Sequence, residues 1–250
     1  MSSTHVKKSI LIINPNSTAS MTATLEPLVT ALGFSETDHV FFTAPSGPQS
    51  INNDSDAASS AEHCLPHLLP LLDRHDGFLV ACYSAHPLVP VLKAQPQIQN
   101  ARKCVTGIFE ASVATSLQLL APTECFGIVS TGKVWEALLH AAVVAFLGGA
   151  GSEAGRKFAG VQTTGLDASQ LHNAPAEEVR RRMKEATKRL LRSGDVGSVC
   201  LGCAGMAGMG EMVREACVEE LGKERGERVR VVDGVQAGVA WLEGAVRSEF

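Results

Sequence analysis

The stretch Val199-Cys200-Leu201-Gly202-Cys203-Ala204-Gly205-Met206 decides how this chain is read. An apolar run passes into a glycine-containing turn, the pattern of a buried strand giving way to a helix. In α/β proteins, ligands bind in the crevice beyond the carboxyl ends of the strands. Cys203 stands at such an end. The same device occurs earlier, in Gly77-Phe78-Leu79-Val80-Ala81-Cys82-Tyr83-Ser84, where Cys82 closes another apolar run. Two strand-end cysteines are the feature that a functional reading has to explain.

Working outward, apolar runs predict strands over 9–13, 39–43, 77–81 and 104–109, then over 125–129, 158–162, 197–201 and 228–232. Amphipathic or apolar segments between them predict helices. The first is capped by Ser17 or Thr18 and runs to Leu32, and the second spans 56–72, kinked or shortened by Pro66 and Pro70. A helix opens at His86-Pro87, and others cover 110–120, 134–147, 175–192, 206–221 and 234–246. Strands alternating with helices make parallel sheet, because parallel neighbours need crossover connections. The halves also resemble each other. Cys82 and Cys203 lie 121 residues apart, each after the third strand of its half, and Glu110 and Asp233 lie 123 apart, each after the fourth. This spacing predicts two four-stranded α/β lobes facing each other across a cleft, residues 1–108 with 234–250 forming one and 109–233 the other. A closed eight-stranded βα barrel fits the same strand count.

Composition narrows the class. The chain has 250 residues, 22 Lys and Arg against 26 Asp and Glu, and a net charge of −4, so no global field favours nucleic acid or an anionic membrane. The polar stretch 1–8 lacks a signal-peptide core, and the most apolar helix, 134–147, is too short to span a bilayer. That helix is expected to be buried or to lie at an interface, which points to a homo-oligomer. Seven cysteines without a scaffold spacing indicate reduced thiols and a cytoplasmic setting.

Two thiols at equivalent strand ends suit one kind of chemistry. Removing a proton from a carbon beside a carbonyl, and returning it to the other face, needs a base and an acid on opposite sides of a planar intermediate. A thiolate and a thiol supply both, and helix N-termini are expected to lower their pKa toward neutrality. Backbone N–H groups at Ser84-Ala85 and Ala204-Gly205 are placed to hold an enolate oxygen, and Gly202 and Gly205 are read as room for substrate.

Ile13-Asn14-Pro15-Asn16-Ser17, Ala81-Cys82-Tyr83-Ser84 and Leu201-Gly202-Cys203-Ala204-Gly205-Met206 resemble the aspartate/glutamate/hydantoin racemase superfamily. Thr43-Ala44-Pro45, Gly47-Pro48 and Ser50-Ile51 resemble the hydantoin and allantoin racemase branch, its fungal members included. The resemblance implies pseudo-symmetric flavodoxin-like lobes, racemisation by two cysteines without a cofactor, and a C-terminal helix packed back on the first lobe. It implies Cys82 and Cys203 as the acid/base pair. Asn16, Ser50, Ser84, Ala85, Ser130, Thr131, Gly132, Ala204 and Gly205 are the candidate substrate-binding residues. Apart from Lys133, these strand-end motifs hold no Arg or Lys, which favours a neutral cyclic amide, a 5-substituted hydantoin or allantoin. Other superfamily reactions (amino-acid racemisation, decarboxylation, cis–trans isomerisation) and a non-catalytic small-molecule-binding role are the alternatives.

Several features have plainer readings. Cys200 lies within the strand, and one CxxC without further ligands does not make a zinc site, so no metal is expected. His63 and His67 form a surface pair, and Arg180 to Arg182 lie on a solvated helix face. Glu110 and Asp233 are read as helix caps. His86 either tunes Cys82 or occupies an ordinary first-turn position.

Overall fold

Parallel pairing of β1 (Lys8–Asn14) with both β2 (Thr37–Thr43) and β3 (Gly77–Val80) starts the first sheet, and β4 (Cys104–Gly107) completes the order β2-β1-β3-β4. The second half repeats this topology. Strands β5 (Cys125–Ser130), β6 (Phe158–Thr163), β7 (Val196–Gly202) and β8 (Arg230–Asp233) pair in the order β6-β5-β7-β8, all parallel. The computed structural model describes residues 7–149 and 154–248; the polar stretch 1–6, read above for targeting signals, lies outside them. Two separate four-stranded sheets replace the closed barrel that the strand count allowed. Every residue of β3 and β7 is buried, as in parallel strands covered on both faces.

The helices are α1 (Ala19–Thr30), α2 (Asp54–Leu68), α3 (Leu88–Lys93), α4 (Pro96–Asn100), α5 (Ile108–Leu119), α6 (Val134–Phe146), α7 (Gln170–Asn173), α8 (Ala176–Leu191), α9 (Gly210–Leu221), α10 (Lys223–Gly226) and α11 (Gly234–Ala245). A core shared by both halves joins Ile10, Ile12 and Leu79 of the first sheet to Phe126, Ile128 and Cys200 of the second, with Ile108, Phe109 and Val113 of α5 among them. On α8, Val179, Met183, Ala186 and Leu190 form the buried stripe that their spacing predicted. Only Trp135, Leu139 and Val143 of α6 are buried; Val134 and Phe146 stay exposed. No helix among the described residues is long and apolar enough to cross a membrane.

Several element boundaries depart from the sequence reading, the following for local reasons. Asn53 caps α2 by accepting the Asp56 N–H (2.9 Å), so the helix starts earlier than expected. Pro66 is accommodated within α2, whereas Pro70 falls in a tighter 3₁₀ turn, Leu69–Leu71, which ends it. Ile108 and Phe109 belong to α5 and not to β4, because Gly107 is the last extended residue. Beyond Cys203 the chain makes one 3₁₀ turn, Ala204–Met206, and Gly208 turns left-handed (φ 80°) before α9 begins.

Helix α11 returns to the first sheet. A Cβ on Gly238 would lie 2.4 Å from Leu79 Cδ1, so glycine lets the helix approach β3 closely. Glu243, only 3% exposed, accepts from the Thr37 hydroxyl (2.8 Å) and from His39 Nε2 (2.7 Å), and pairs with Arg247. Gly202 has a comparable packing role. A Cβ there would meet Ile128 Cγ2, the Val129 carbonyl and Ser130 Cβ at 2.6, 2.8 and 2.9 Å, so its space is taken by β5 and not kept for substrate.

His86 is a structural residue. Its Nδ1 accepts the Leu88 N–H (3.2 Å) at the start of α3, which leaves Nε2 to donate to the Ser60 hydroxyl on α2 (3.1 Å). Burial pushes its pKa down to about 4.

Two outcomes follow from this packing. Gly202→Ala forces a methyl group into β5 and should lower the unfolding free energy by about 1–3 kcal/mol in urea titrations. Because the folded-state pKa of His86 lies below its unfolded value, its contribution is complete above about pH 6.5 and declines as protons bind the unfolded chain. Stability should fall between about pH 6.5 and 4 by on the order of 3 kcal/mol. His86→Gln should flatten that part of the profile while lowering stability at neutral pH.

Candidate active site

The carboxyl ends of β1, β3 and β7 converge on one small cavity, and Cys82 and Cys203 both line it. The β1–α1 turn is organised by Asn14, whose amide donates to Asn16 Oδ1 (3.1 Å), the Thr22 hydroxyl (3.0 Å) and the Thr18 carbonyl (3.3 Å). Asn16 Oδ1 also accepts the Thr18 N–H (2.9 Å), and its Nδ2 points at the Met21 sulfur (3.3 Å), a weak acceptor. The loop after β2 is fastened to the same turn by Ser17 N–H to the Pro48 carbonyl (2.9 Å) and the Thr18 hydroxyl to the Gln49 carbonyl (2.7 Å). This brings Ser50 to the cavity wall.

Of the residues singled out from the sequence, Cys82, Cys203, Asn16, Ser50, Ala204 and Gly205 share this wall. Ser84 and Ala85 line a neighbouring groove against α6, although the Ser84 hydroxyl stays 3.7 Å from Cys82 Sγ. Ser130, Thr131 and Gly132 form the β5–α6 turn and are not part of the wall. The Ser130 hydroxyl donates to the Gly202 carbonyl (2.7 Å), and the Gly132 carbonyl accepts the Trp135 N–H (3.0 Å). Two of the backbone donors proposed for an enolate are engaged within their own turns. Ser84 N–H donates to the Cys82 carbonyl (3.1 Å) and Gly205 N–H to Cys203 Sγ (3.3 Å).

The wall also includes Asn14, Met21, Thr24, Tyr83 and Ala168, which motif reading did not select. Asn14 and Tyr83 lay inside quoted motifs, next to chosen residues. Nothing in the sequence marked Ala168, which comes from the loop after β6. No residue of this wall carries a formal charge. The cavity holds about 50 Å³, room for one or two waters.

The two thiols differ in environment. Burial, with smaller contributions from negative charge on Cys203 and Glu110, pushes Cys82 up to about 12, and the Ser84 hydroxyl opposes the rise. Burial pushes Cys203 up to about 11, opposed by the N–H groups of Gly205 and Met206. The expected lowering by helix N-termini is outweighed because neither thiol abuts a long helix: α3 begins at Leu88 and α9 at Gly210. Asp233 both caps α11, accepting from Val235 N–H (2.9 Å) and Gln236 N–H (3.3 Å), and holds the Cys203 loop through Gly208 N–H (3.2 Å). Cys200 faces away from the cavity wall into the core, bonded to Ser116 (3.1 Å). No group of three or more His, Cys, Asp or Glu among the described residues is arranged to hold a metal ion.

A hydroxyl chain connects the two cysteine strands. Tyr83, adjacent to Cys82, donates to Ser112 Oγ on α5 (2.8 Å), which donates to the Phe109 carbonyl (3.0 Å). On the next turn of α5, Ser116 takes a bond from Ser198 of β7 (2.9 Å) and contacts Cys200 Sγ, which itself reaches the Ser112 carbonyl (3.8 Å). All five side chains are buried.

Known proteins share this chain's sequence pattern and fold. An uncharacterised protein of Schizosaccharomyces pombe is 33% identical over 239 residues, covering 95% of this chain and 92% of the relative. The hydantoin racemase of Pseudomonas sp. strain NS671 is 28% identical over 238 residues, covering 95% and 85%. The allantoin racemase from Klebsiella pneumoniae shares the fold, with a TM-score of 0.76, 24% identity and coverage of 96% of this chain and 88% of that one. The profile of Asp/Glu/Hydantoin racemase matches residues 10–242, a span that takes in both sheets and both cysteine turns, and on that match the chain belongs to this family.

Proposed function

We propose that the protein is a cofactor-independent racemase of a small neutral cyclic amide, a 5-substituted hydantoin or allantoin. The observation that carries this reading is the placement of two strand-end thiols on one uncharged cavity wall. One cysteine, as thiolate, takes the proton from the ring stereocentre, and the electron pair of that C–H bond delocalises into the adjacent ring carbonyl. The opposite cysteine, as thiol, delivers its proton to the other face. The centre is inverted and the two sulfurs exchange protonation states, so the reverse reaction starts from the product state.

The lining chemistry supports the substrate class. A carboxylate-bearing amino acid would need a cationic partner, and the wall offers none. A ring with neutral amide edges needs donors and acceptors such as Asn16, Ser50 and the Ala204-Gly205 backbone. Asn16 Nδ2, held only against a thioether, gains a better acceptor when a substrate carbonyl arrives. Ligand sites commonly enclose about 300–1,000 Å³. Admission of a ring into a cavity of about 50 Å³ therefore requires its walls to part.

Single Cys82→Ser and Cys203→Ser variants, assayed with both enantiomers of a hydantoin panel and of allantoin in deuterated water, test the reaction. Each should lose racemisation, followed by optical rotation, by about 10²–10⁴-fold. Full racemisation in either variant sinks the two-thiol mechanism. A trapped covalent adduct on Cys82 would instead indicate a cis–trans isomerase, and tight binding without proton exchange a binding protein. Since burial raises both thiols, kcat/KM should increase from pH 7 toward pH 9 as the first thiol ionises; a flat profile would contradict this.

A further inference from the structure

Glu110 is a carboxylate that the proposed reaction does not yet use. Its Oε2 is one of two buried side-chain oxygens among the described residues with no hydrogen-bond partner, the other being Gln97 Oε1. The residue sits in the first turn of α5, and its side chain folds back over Gly107, where a Cβ would lie 2.4 Å from Oε2. Gly107 is therefore the gap that admits the carboxylate to the strand end. In register, Gly107 pairs with Val80 of β3, two residues before Cys82. Its pseudo-symmetric counterpart, Asp233, is saturated by the N–H groups of Val235, Gln236 and Gly208. The two halves thus differ: an unpartnered carboxyl oxygen lies at the end of the strand paired with β3, and a satisfied carboxylate is bonded to the Cys203 loop.

We infer that Glu110 sets the division of labour between the two thiols, holding Cys82 as the proton-bearing partner and leaving Cys203 to ionise first. This rests on reading the two cysteines as an acid/base pair. Geometry around the sulfurs points the same way. Cys203 Sγ accepts a backbone N–H from Gly205 (3.3 Å), a contact that favours thiolate; the Ser84 hydroxyl acts on Cys82 in the same sense, over a longer contact of 3.7 Å. The charges facing Cys82 are Cys203, from the β7 exit, and Glu110, from α5, and each opposes its ionisation. Burial disfavours the charged form of Glu110 and raises its pKa, opposed by its own backbone N–H, by Lys93 of α3 and by the backbone of Gly107. Tyr83, also exposed to the fields of Glu110 and Cys200, is held protonated by burial. Glu110 acts through Cys82 and is a positioning residue, not a catalytic one.

The test reads the resting protein without substrate. Iodoacetamide labelling across pH 7–10, quantified by peptide mass spectrometry, follows the rising limb of each thiol's ionisation, and the ratio of variant to wild-type rate at one thiol reports the change in its ionised fraction. Glu110→Gln should speed Cys82 labelling by up to about tenfold at fixed pH, with Cys203 unchanged. Glu110→Asp, which keeps the charge, should retain the wild-type rates. An unchanged Cys82 rate in Glu110→Gln, or an equal gain at both thiols, overturns the inference. If Glu110→Gln does not fold, wild-type Cys82 labelling as fast as that of Cys203 throughout the range overturns it as well. The labelling needs no turnover, so absence of racemisation with every hydantoin would remove the proposed reaction and leave this result standing.

Discussion

Helix α5 holds the two cysteine-bearing strands in a fixed relation through hydroxyl groups spaced one turn apart. Ser112 takes the Tyr83 hydroxyl next to Cys82, and Ser116 takes Ser198 and Cys200 on the strand that ends at Cys203. Buried hydroxyls without partners cost free energy, so each bond constrains the others and sideways slip of either strand breaks several at once. The apolar core around α5 supplies most of the cohesion, but it does not prescribe register. The polar seam does. Parallel pairing then carries that register to the strand ends, where the sulfurs stand.

The pseudo-symmetry is close in topology and looser in chemistry. Both halves use the order 2-1-3-4, end their third strand near a cysteine and carry an acidic residue at or just past the end of their fourth. One methylene separates the acidic residues in composition, and their positions separate them further. Asp233 is an N-cap that closes its own helix, whereas Glu110 lies inside the first turn of α5 and reaches back over a glycine. A duplicated scaffold can in this way present two similar thiols in unequal fields.

Much of this was legible in the sequence, because buried parallel strands appear as unbroken apolar runs such as Gly77–Val80 and Val196–Gly202. The separation of Cys203 from Cys200 could also be read, since one residue ends the strand and the other lies within it. Helix starts were harder. Pro66 and Pro70 are the same residue type four positions apart, yet only one ends the helix, and local sequence does not distinguish them. Gly202 was read as space for a ligand because its neighbour, Ile128, becomes visible only when β5 pairs with β7. Ala168 and Thr24 reach the cavity wall through the approach of separate loops and helices, which no spacing rule encodes.

The clasp between α11 and the edge strand β2 has a consequence for how the chain is made. Thr37 and Glu243 are 206 residues apart, and α11 follows all eight strands. A nascent chain that has emerged only as far as β5 holds every strand of the first sheet but lacks the helix that covers part of β3 and neutralises the polar edge of β2. The first half to be synthesised is thus among the last to be sealed. The second half, whose strands and intervening helices are contiguous in sequence, can close in order as it emerges. Vectorial synthesis and structural completion run in opposite directions along this chain, so the N-terminal sheet spends the longest time open to misassociation or to chaperones.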